Sequence, residues 1–255
     1  MDKSSIAGVV IAVGGIVSGL IMEGGNIAQL LQPTAALIVL GGTLGAVMVQ
    51  FPLDAVLGAA KQMVNVFTGT APDGEASLKQ LIDFANKARR SGIVSLDREV
   101  GSVQDPYMRQ ALTLAIDGTD PVELRKIMEL ELENQAEAEE RIPEVFESAG
   151  GFAPTIGIIG AVLGLIQVMQ HLDNIEEVGR GIAVAFVATV YGVATANLFF
   201  LPAAGKLKIR LHEQLMVKQM VLEGVVSILE GLNPRMMELK LRTFLAESKP
   251  APDGA

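Results

Sequence analysis

The side chains able to do chemistry are few in this sequence, and they are clustered. Thr155, Thr189, Thr195 and Asn197 place hydroxyl and amide groups in two apolar runs that carry no Asp, Glu, Lys or Arg. Such groups can hydrogen-bond the hydration water of an ion, but they cannot carry a proton by themselves. The same groups can equally bond back to carbonyls of their own helix. Thr155 follows Pro154, and a proline inside a helix frees a carbonyl nearby. An ion path across a bilayer ordinarily needs an ionisable or chelating group at membrane depth. No apolar run in the chain carries a charged residue near its middle. The titrating carboxylate of any such path must therefore come from a partner helix.

Other chemistries lack their residues. There is no Cys, which excludes a thiol nucleophile, a disulfide framework and a zinc ribbon. Neither a G-x-S-x-G elbow nor a Gly-rich phosphate loop ending in Lys-Ser/Thr occurs. The two His are too few for a His-based metal centre: His171 falls at the edge of an apolar run and His212 on an amphipathic stretch. A net charge of -9 without a basic stripe argues against nucleic acid. The expectation is a protein that is not an enzyme, with no catalytic residues, metal or cofactor.

The elements that must position the hydroxyls are the two runs themselves. The first extends from about Phe152 to His171 and the second from about Gly181 to Pro202. Each is about 20 residues long, enough for a helix to cross roughly 30 Å of hydrocarbon. Both are rich in small residues: Gly157, Gly160, Ala161 and Gly164 in one, Ala183, Ala185, Ala188, Ala194 and Ala196 in the other. Small residues let helix backbones approach closely where lipid gives no hydrophobic drive. The hairpin reads as a wall built to hold another helix and a little water.

The rest of the chain fits a polytopic membrane protein. It is 50% hydrophobic with a mean hydropathy of +0.41, and its apolar residues are segregated into blocks rather than alternating with polar ones. Met1-Asp2-Lys3 lacks the basic start of a cleavable signal peptide. Ser5 to Met22 is one apolar run, and Thr34 to Phe51, opened by Pro33, is another. Gly15 and Gly19, then Gly41 and Gly45, have GxxxG spacing, read as plain close packing. Asp54 to about Ser148 is a polar insert. It predicts helices over Ser77–Arg90, Asp105–Ile116 and from Asp120-Pro121 to about Arg141, with Pro143 ending or kinking the last. The acidic face of that last helix reads as solvated surface. A loop is predicted over Asp173–Arg180, an amphipathic helix from Lys206 to about Glu230 closed by Gly231, a short helix after Asn233-Pro234, and a frayed end from Ser248.

All but Lys3 and Arg180 of the 20 basic residues lie in the insert or the tail. The positive-inside rule then makes the insert, the tail and both termini cytoplasmic. The expected class is all-α, with four transmembrane helices and a helical cytoplasmic domain. Residues 1–52 hold the first two membrane helices, 53–148 the cytoplasmic domain, 149–203 the channel hairpin and 204–255 the C-terminal helices.

The segments A-P-T-I-G-I-I-G-A-V-L-G-L-I and G-I-A-V-A-F-V-A-T-V-Y-G-V-A-T-A-N-L-F-F-L-P closely resemble the third and fourth membrane helices of MotA-type flagellar stator proteins. The likeness extends over nearly the whole chain, and K-A-R-R-S-G-I-V-S-L-D resembles the loop motif that faces the rotor. The resemblance implies a proton-driven torque generator in the bacterial inner membrane. It implies a five-fold ring around a dimer of MotB-like single-span helices that bring the membrane aspartate, with the loop pushing on the rotor protein FliG. Carried over by position, Pro154 and Pro202 frame the channel and Thr189 lines the ion path, beside Thr155. Arg89 and Asp97 form the charged pair that meets the rotor, with Arg90 as a neighbour. Ala161 stands where sodium-type members have threonine; it offers no oxygen to a partly dehydrated cation, which favours protons. Gly151 replaces an acid common three residues before the first proline, and Arg98 replaces another acid of the loop. A TolQ/ExbB-type subunit serving envelope transport, a sodium-driven stator, and a non-transporting membrane scaffold are the competing readings.

Overall fold

A computed structural model describes residues 3–68 and 73–247, so the expected frayed end lies outside the described residues. Among these residues the helices are α1 (Lys3–Met22), α2 (Pro33–Gln50), α3 (Leu53–Thr68), α4 (Gly74–Ser91), α5 (Pro106–Ile116), α6 (Pro121–Gln170), α7 (Ile175–Leu229) and α8 (Pro234–Glu247). Short helical turns cover Ile27–Leu30, Ile93–Leu96 and Asp97–Val100. Four helices, those of α1, α2, α6 and α7, are long and apolar enough to cross a membrane.

Two of these helices are longer than the sequence pattern predicts. Pro143 neither ends nor interrupts α6, which runs on through Pro154 to Gln170. An interior proline costs about 3 kcal/mol in lost hydrogen bonding and clash. Here the flanking residues offset that cost: Val145, Phe146 and Ala149 are buried with Val47, Ala203 and Leu207. The loop expected over Asp173–Arg180 is also mostly helix. Asn174 caps α7, its side chain accepting from the Glu176 and Glu177 amides at 3.2 and 3.4 Å. Those two acids sit in the first turn, where the helix dipole favours negative charge. At the other end α7 passes through Pro202 into the predicted amphipathic tail helix without a break. A wide π-type turn at Ala196–Phe200 precedes Pro202, loosening the helix where the proline ring would meet a carbonyl one turn back.

The chain folds as two compact units, one of residues 1–70 and 140–208, the other of residues 71–139 and 209–255. In the first, Val47 of α2, Ala55 and Ala59 of α3, and Ala203, Ala204 and Leu207 of α7 pack with the Val145–Ala149 part of α6. The paired glycines of α1 and α2 are not used within the chain: a Cβ on Gly15, Gly19, Gly41 or Gly45 would meet nothing within 4 Å. The close-packing expectation for those pairs is therefore corrected for the single chain.

The second unit has a conventional helical core. Leu78, Leu81, Phe84 and Ala85 of α4 recur at helical spacing and pack with Met108 and Leu112 of α5, Leu124 and Met128 of α6, Val221 and Val225 of α7, and Leu241 of α8. Asp73 starts α4 by accepting from the Ala76 amide at 3.0 Å. The buried Tyr107 hydroxyl donates to the Met128 carbonyl at 3.1 Å. Burial, then the nearby Glu131, Glu129 and Asp105, push that phenol above its ordinary range, so it stays a donor.

Glu223 ties three helices of this unit. Its carboxylate takes the Arg125 guanidinium at 2.7 Å and also pairs with Lys240. Burial alone would raise its pKa, but Lys240 and Arg125 hold it below the ordinary value of 4.5. A depressed carboxylate stabilises the fold fully above its unfolded pKa and loses that contribution as pH falls through the folded one. Glu223→Gln is expected to cost about 1–3 kcal/mol near neutrality, since two cations lose their charged partner. The gap in thermal midpoint between the purified wild type and variant should narrow as pH falls below 4.5 and close once pH is under the depressed pKa of the folded state. A gap that persists there points to packing instead.

Candidate ion path and rotor-facing corner

The hairpin is made by backbone contact. A Cβ on Gly157 would stand 2.9 Å from the Ala188 carbonyl oxygen and 3.2 Å from the Gly192 Cα. One on Gly192 would stand 2.5 Å from the Ala153 oxygen and 3.1 Å from the Gly157 Cα. Higher up, Gly164 and Gly181 face each other in the same way, with a Cβ on Gly164 at 2.9 Å from the Gly181 oxygen. Gly157, Gly164 and Ala188 were legible as small residues; Gly181 and Gly192 were missed. Their signal is the run Gly181, Ala185, Ala188, Gly192, a small-residue face at helical spacing. A Cβ on Gly160 would meet both Ala188 Cβ, at 2.8 Å, and Ile38 Cγ2, at 3.3 Å, so α2 packs over the same contact. Tyr191, another residue the sequence did not single out, clasps the segment before α2. Its hydroxyl donates to the Leu30 carbonyl and accepts from the Gln32 amide at 3.3 Å.

The predicted ion-path residues fall on this hairpin. Thr189 is half-buried, and its Cα lies 3.4 Å from the place a Gly157 Cβ would take. Pro154 and Ala161, both half-buried, and Thr155, exposed, are each within about a turn of Gly157 along α6. Pro202 is exposed and lies about 20 Å along α7 from Thr189. Its neighbour Leu201 packs where a Gly150 Cβ would stand, at 2.6 Å, which puts Pro202 about a turn of α6 from Pro154. Every threonine hydroxyl here donates to its own helix. Thr155 bonds the Phe152 carbonyl at 2.8 Å, Thr189 the Ala185 carbonyl at 3.3 Å, and Thr195 the Tyr191 carbonyl at 2.7 Å. The Asn197 amide donates to the Val193 carbonyl at 2.9 Å. With their protons committed, the hydroxyl oxygens retain lone pairs that accept only. The hairpin's charges lie near its two ends: Glu147 pairs with Lys208 at 2.8 Å, and Glu176, Glu177 and Arg180 start α7. Among the described residues no cluster of His, Cys, Asp or Glu could hold a metal ion.

The second site is a sharp corner after α4. Gly92 ends the helix at a φ of 78°, a conformation a side chain would strain, and its amide bonds the Ala88 carbonyl at 2.8 Å. Lys87 bridges the corner to Glu99 at 2.5 Å, and Leu96 is buried beneath it. This fixes the backbone and leaves Arg89, Arg90 and Asp97 exposed. None of the three makes an ion pair among the described residues. With the exposed Arg98 beside Asp97, the corner thus presents three cations and an anion that are free to meet a partner.

Four lipid-length helices, a glycine-sealed hairpin and a separate helical unit define a polytopic membrane channel or energy-transducing subunit. Residues 99–220 match the MotA/TolQ/ExbB proton channel family, and residues 6–92 match the motility protein A N-terminal family. A motility protein A of Bacillus subtilis is 33% identical over 96% of this chain and 91% of that protein. One of Helicobacter pylori is 35% identical over 98% of this chain and 97% of its own. The solved structure of C. jejuni MotAB superposes with a TM-score of 0.92 at 34% identity, covering 98% of both chains. The chain belongs to the MotA/TolQ/ExbB proton channel family and is a flagellar stator subunit of its motility protein A branch. The match to the N-terminal motility family over the first two spans decides against the TolQ/ExbB alternative.

Proposed function

We propose that this chain couples inward proton flow to torque on the flagellar rotor, as one of five copies ringed about two MotB-like helices in the bacterial inner membrane. The observation that carries this reading is the hairpin: a smooth, small-residue wall with accepting oxygens and no acidic or basic side chain at mid-depth. Such a wall needs a carboxylate from outside the chain, and a MotB-like single-span partner brings one. The solved relative named MotAB supports the pairing. Pro154, Thr155, Ala161, Thr189 and Pro202 line the path. The insert, the tail and both termini are cytoplasmic, with the membrane boundaries near residues 52, 149 and 203. Arg89, Arg90 and Asp97 meet FliG.

Energetically the scheme is sufficient. One charge crossing 100 mV releases about 2.3 kcal/mol, several times thermal energy. That energy becomes rotation when protonation of the partner's aspartate changes which packing of the ring is favoured. Ala161 gives a cation no oxygen, which supports protons over sodium. Cells carrying this stator alone should swim normally without sodium and stop with a protonophore. Sodium-dependent swimming overturns the proton assignment and leaves the stator assignment standing.

A further inference from the structure

We infer that the groove beside the α6–α7 turn is a phospholipid site selective for a zwitterionic over an anionic headgroup. The groove encloses about 800 Å³ between the start of α2 and the α6–α7 hairpin. Its wall changes character with depth. Near the turn it is polar: Gln167, His171, Glu177 and Arg180 line it. One to two helical turns further in, Ile38, Leu163 and Val184 take over. That gradient matches a headgroup above and an acyl chain below.

The charges choose the headgroup. Arg180 is 74% exposed, and its nearest carboxylate is Glu176 at 3.9 Å, a weak contact that leaves the guanidinium fork open. A guanidinium presents paired donors suited to a phosphate. Glu177 lies three residues earlier on the same helix face, 3.4 Å from His171 Nε2. The other face of that imidazole is fixed, with Nδ1 at 3.0 Å from the Gln167 carbonyl oxygen. An anionic headgroup would be served by Arg180 alone and repelled by Glu177. A zwitterion uses both: phosphate on Arg180, ammonium on Glu177. The groove would thereby keep the start of α2 apart from the turn while the lipid seals the gap. The inference rests on the membrane location of the chain and not on ion coupling or rotor contact.

The test uses the complex purified from membranes with its partner chain, stripped of lipid in detergent. It is then offered equal amounts of phosphatidylethanolamine and phosphatidylglycerol. Native mass spectrometry counts lipid per intact ring. Wild type should retain phosphatidylethanolamine in preference. Arg180→Gln should lower retention of both lipids about tenfold or more, the loss expected of one charge-assisted phosphate bond. Glu177→Gln should keep the phosphate contact and abolish the preference between headgroups. Leu163→Trp, which fills the groove and leaves the charges, should displace lipid from rings that still assemble. Equal retention of the two lipids by wild type, unchanged retention in Arg180→Gln, or a density map with protein in the groove would each overturn the assignment. Motility is not read in this experiment, so its failure is distinct from failure of the stator reading.

Discussion

Gly192→Val should abolish motility and deplete the assembled ring, because its side chain must enter space already filled by backbone. The Cβ of any residue at 192 would stand 2.5 Å from the Ala153 oxygen and 3.1 Å from the Gly157 Cα. A flexible side chain could turn aside, but these atoms belong to the opposing helix itself. The helices would have to part by about an ångström or more, and the Gly157, Gly164 and Gly181 contacts would open with them. Overpacking of this kind costs about 1–3 kcal/mol and occasionally more. The upper end is expected here, since lipid supplies no compensating hydrophobic drive. The measurement is the ring peak in detergent together with the thermal midpoint of the purified complex. Gly205→Ala is the control: a Cβ there meets nothing within 4 Å, and an alanine should leave both unchanged. An intact, equally stable Gly192→Val ring would mean that the hairpin contact is not what holds the wall. Gly151→Ala adds a further distinction. Its Cβ also meets nothing in this chain, so lost motility with an intact ring locates the defect at a partner.

The same hairpin shows how far a sequence can be read. Small residues without charges, over the length of a bilayer, specify two close helices, and the contacts of Gly157, Gly164 and Ala188 follow that pattern. Where the helices end was harder to read, because the usual signals were overridden by packing. Pro143 reads locally as a stop or a kink, yet Phe146 and Ala149 bury their side chains and α6 continues through it. Glu176 and Glu177 read as loop charges, yet Asn174 turns them into the favourable first turn of α7. The π-type turn before Pro202 depends on tertiary geometry and has no sequence signature of its own. Tyr191 and its bonds to Leu30 and Gln32 join residues remote in the chain, which helical periodicity does not connect. The candidate ion-path hydroxyls were legible as residue types. That each is committed to its own helix, and so accepts rather than donates, became visible only with the bonds.

Arg89→Glu should cut stall torque by tenfold or more while leaving the ring intact, because a like-charge contact across an interface costs several kcal/mol. The reasoning separates function from fold. Arg89 is exposed, makes no ion pair among the described residues, and stands in the last turn of α4. Within the chain its reversal puts a negative charge at a helix C-terminus, a penalty of about 0.3–1 kcal/mol. That is too small to unfold a unit whose core includes Leu78, Leu81, Leu96 and Leu112. The corner backbone is held independently by Gly92, the Lys87–Glu99 pair and buried Leu96. If Arg89 meets an acidic rotor surface, the reversal replaces attraction with repulsion at an otherwise unaltered corner. A compensating acid-to-base change on the rotor should then restore rotation. Leu96→Asp is the contrasting variant: it buries a charge under the corner and should lower stability and torque together. Ring loss in Arg89→Glu would assign that arginine to the fold. Full torque would remove it from the rotor contact, leaving Arg90, Asp97 and Arg98 as the exposed charges of the corner.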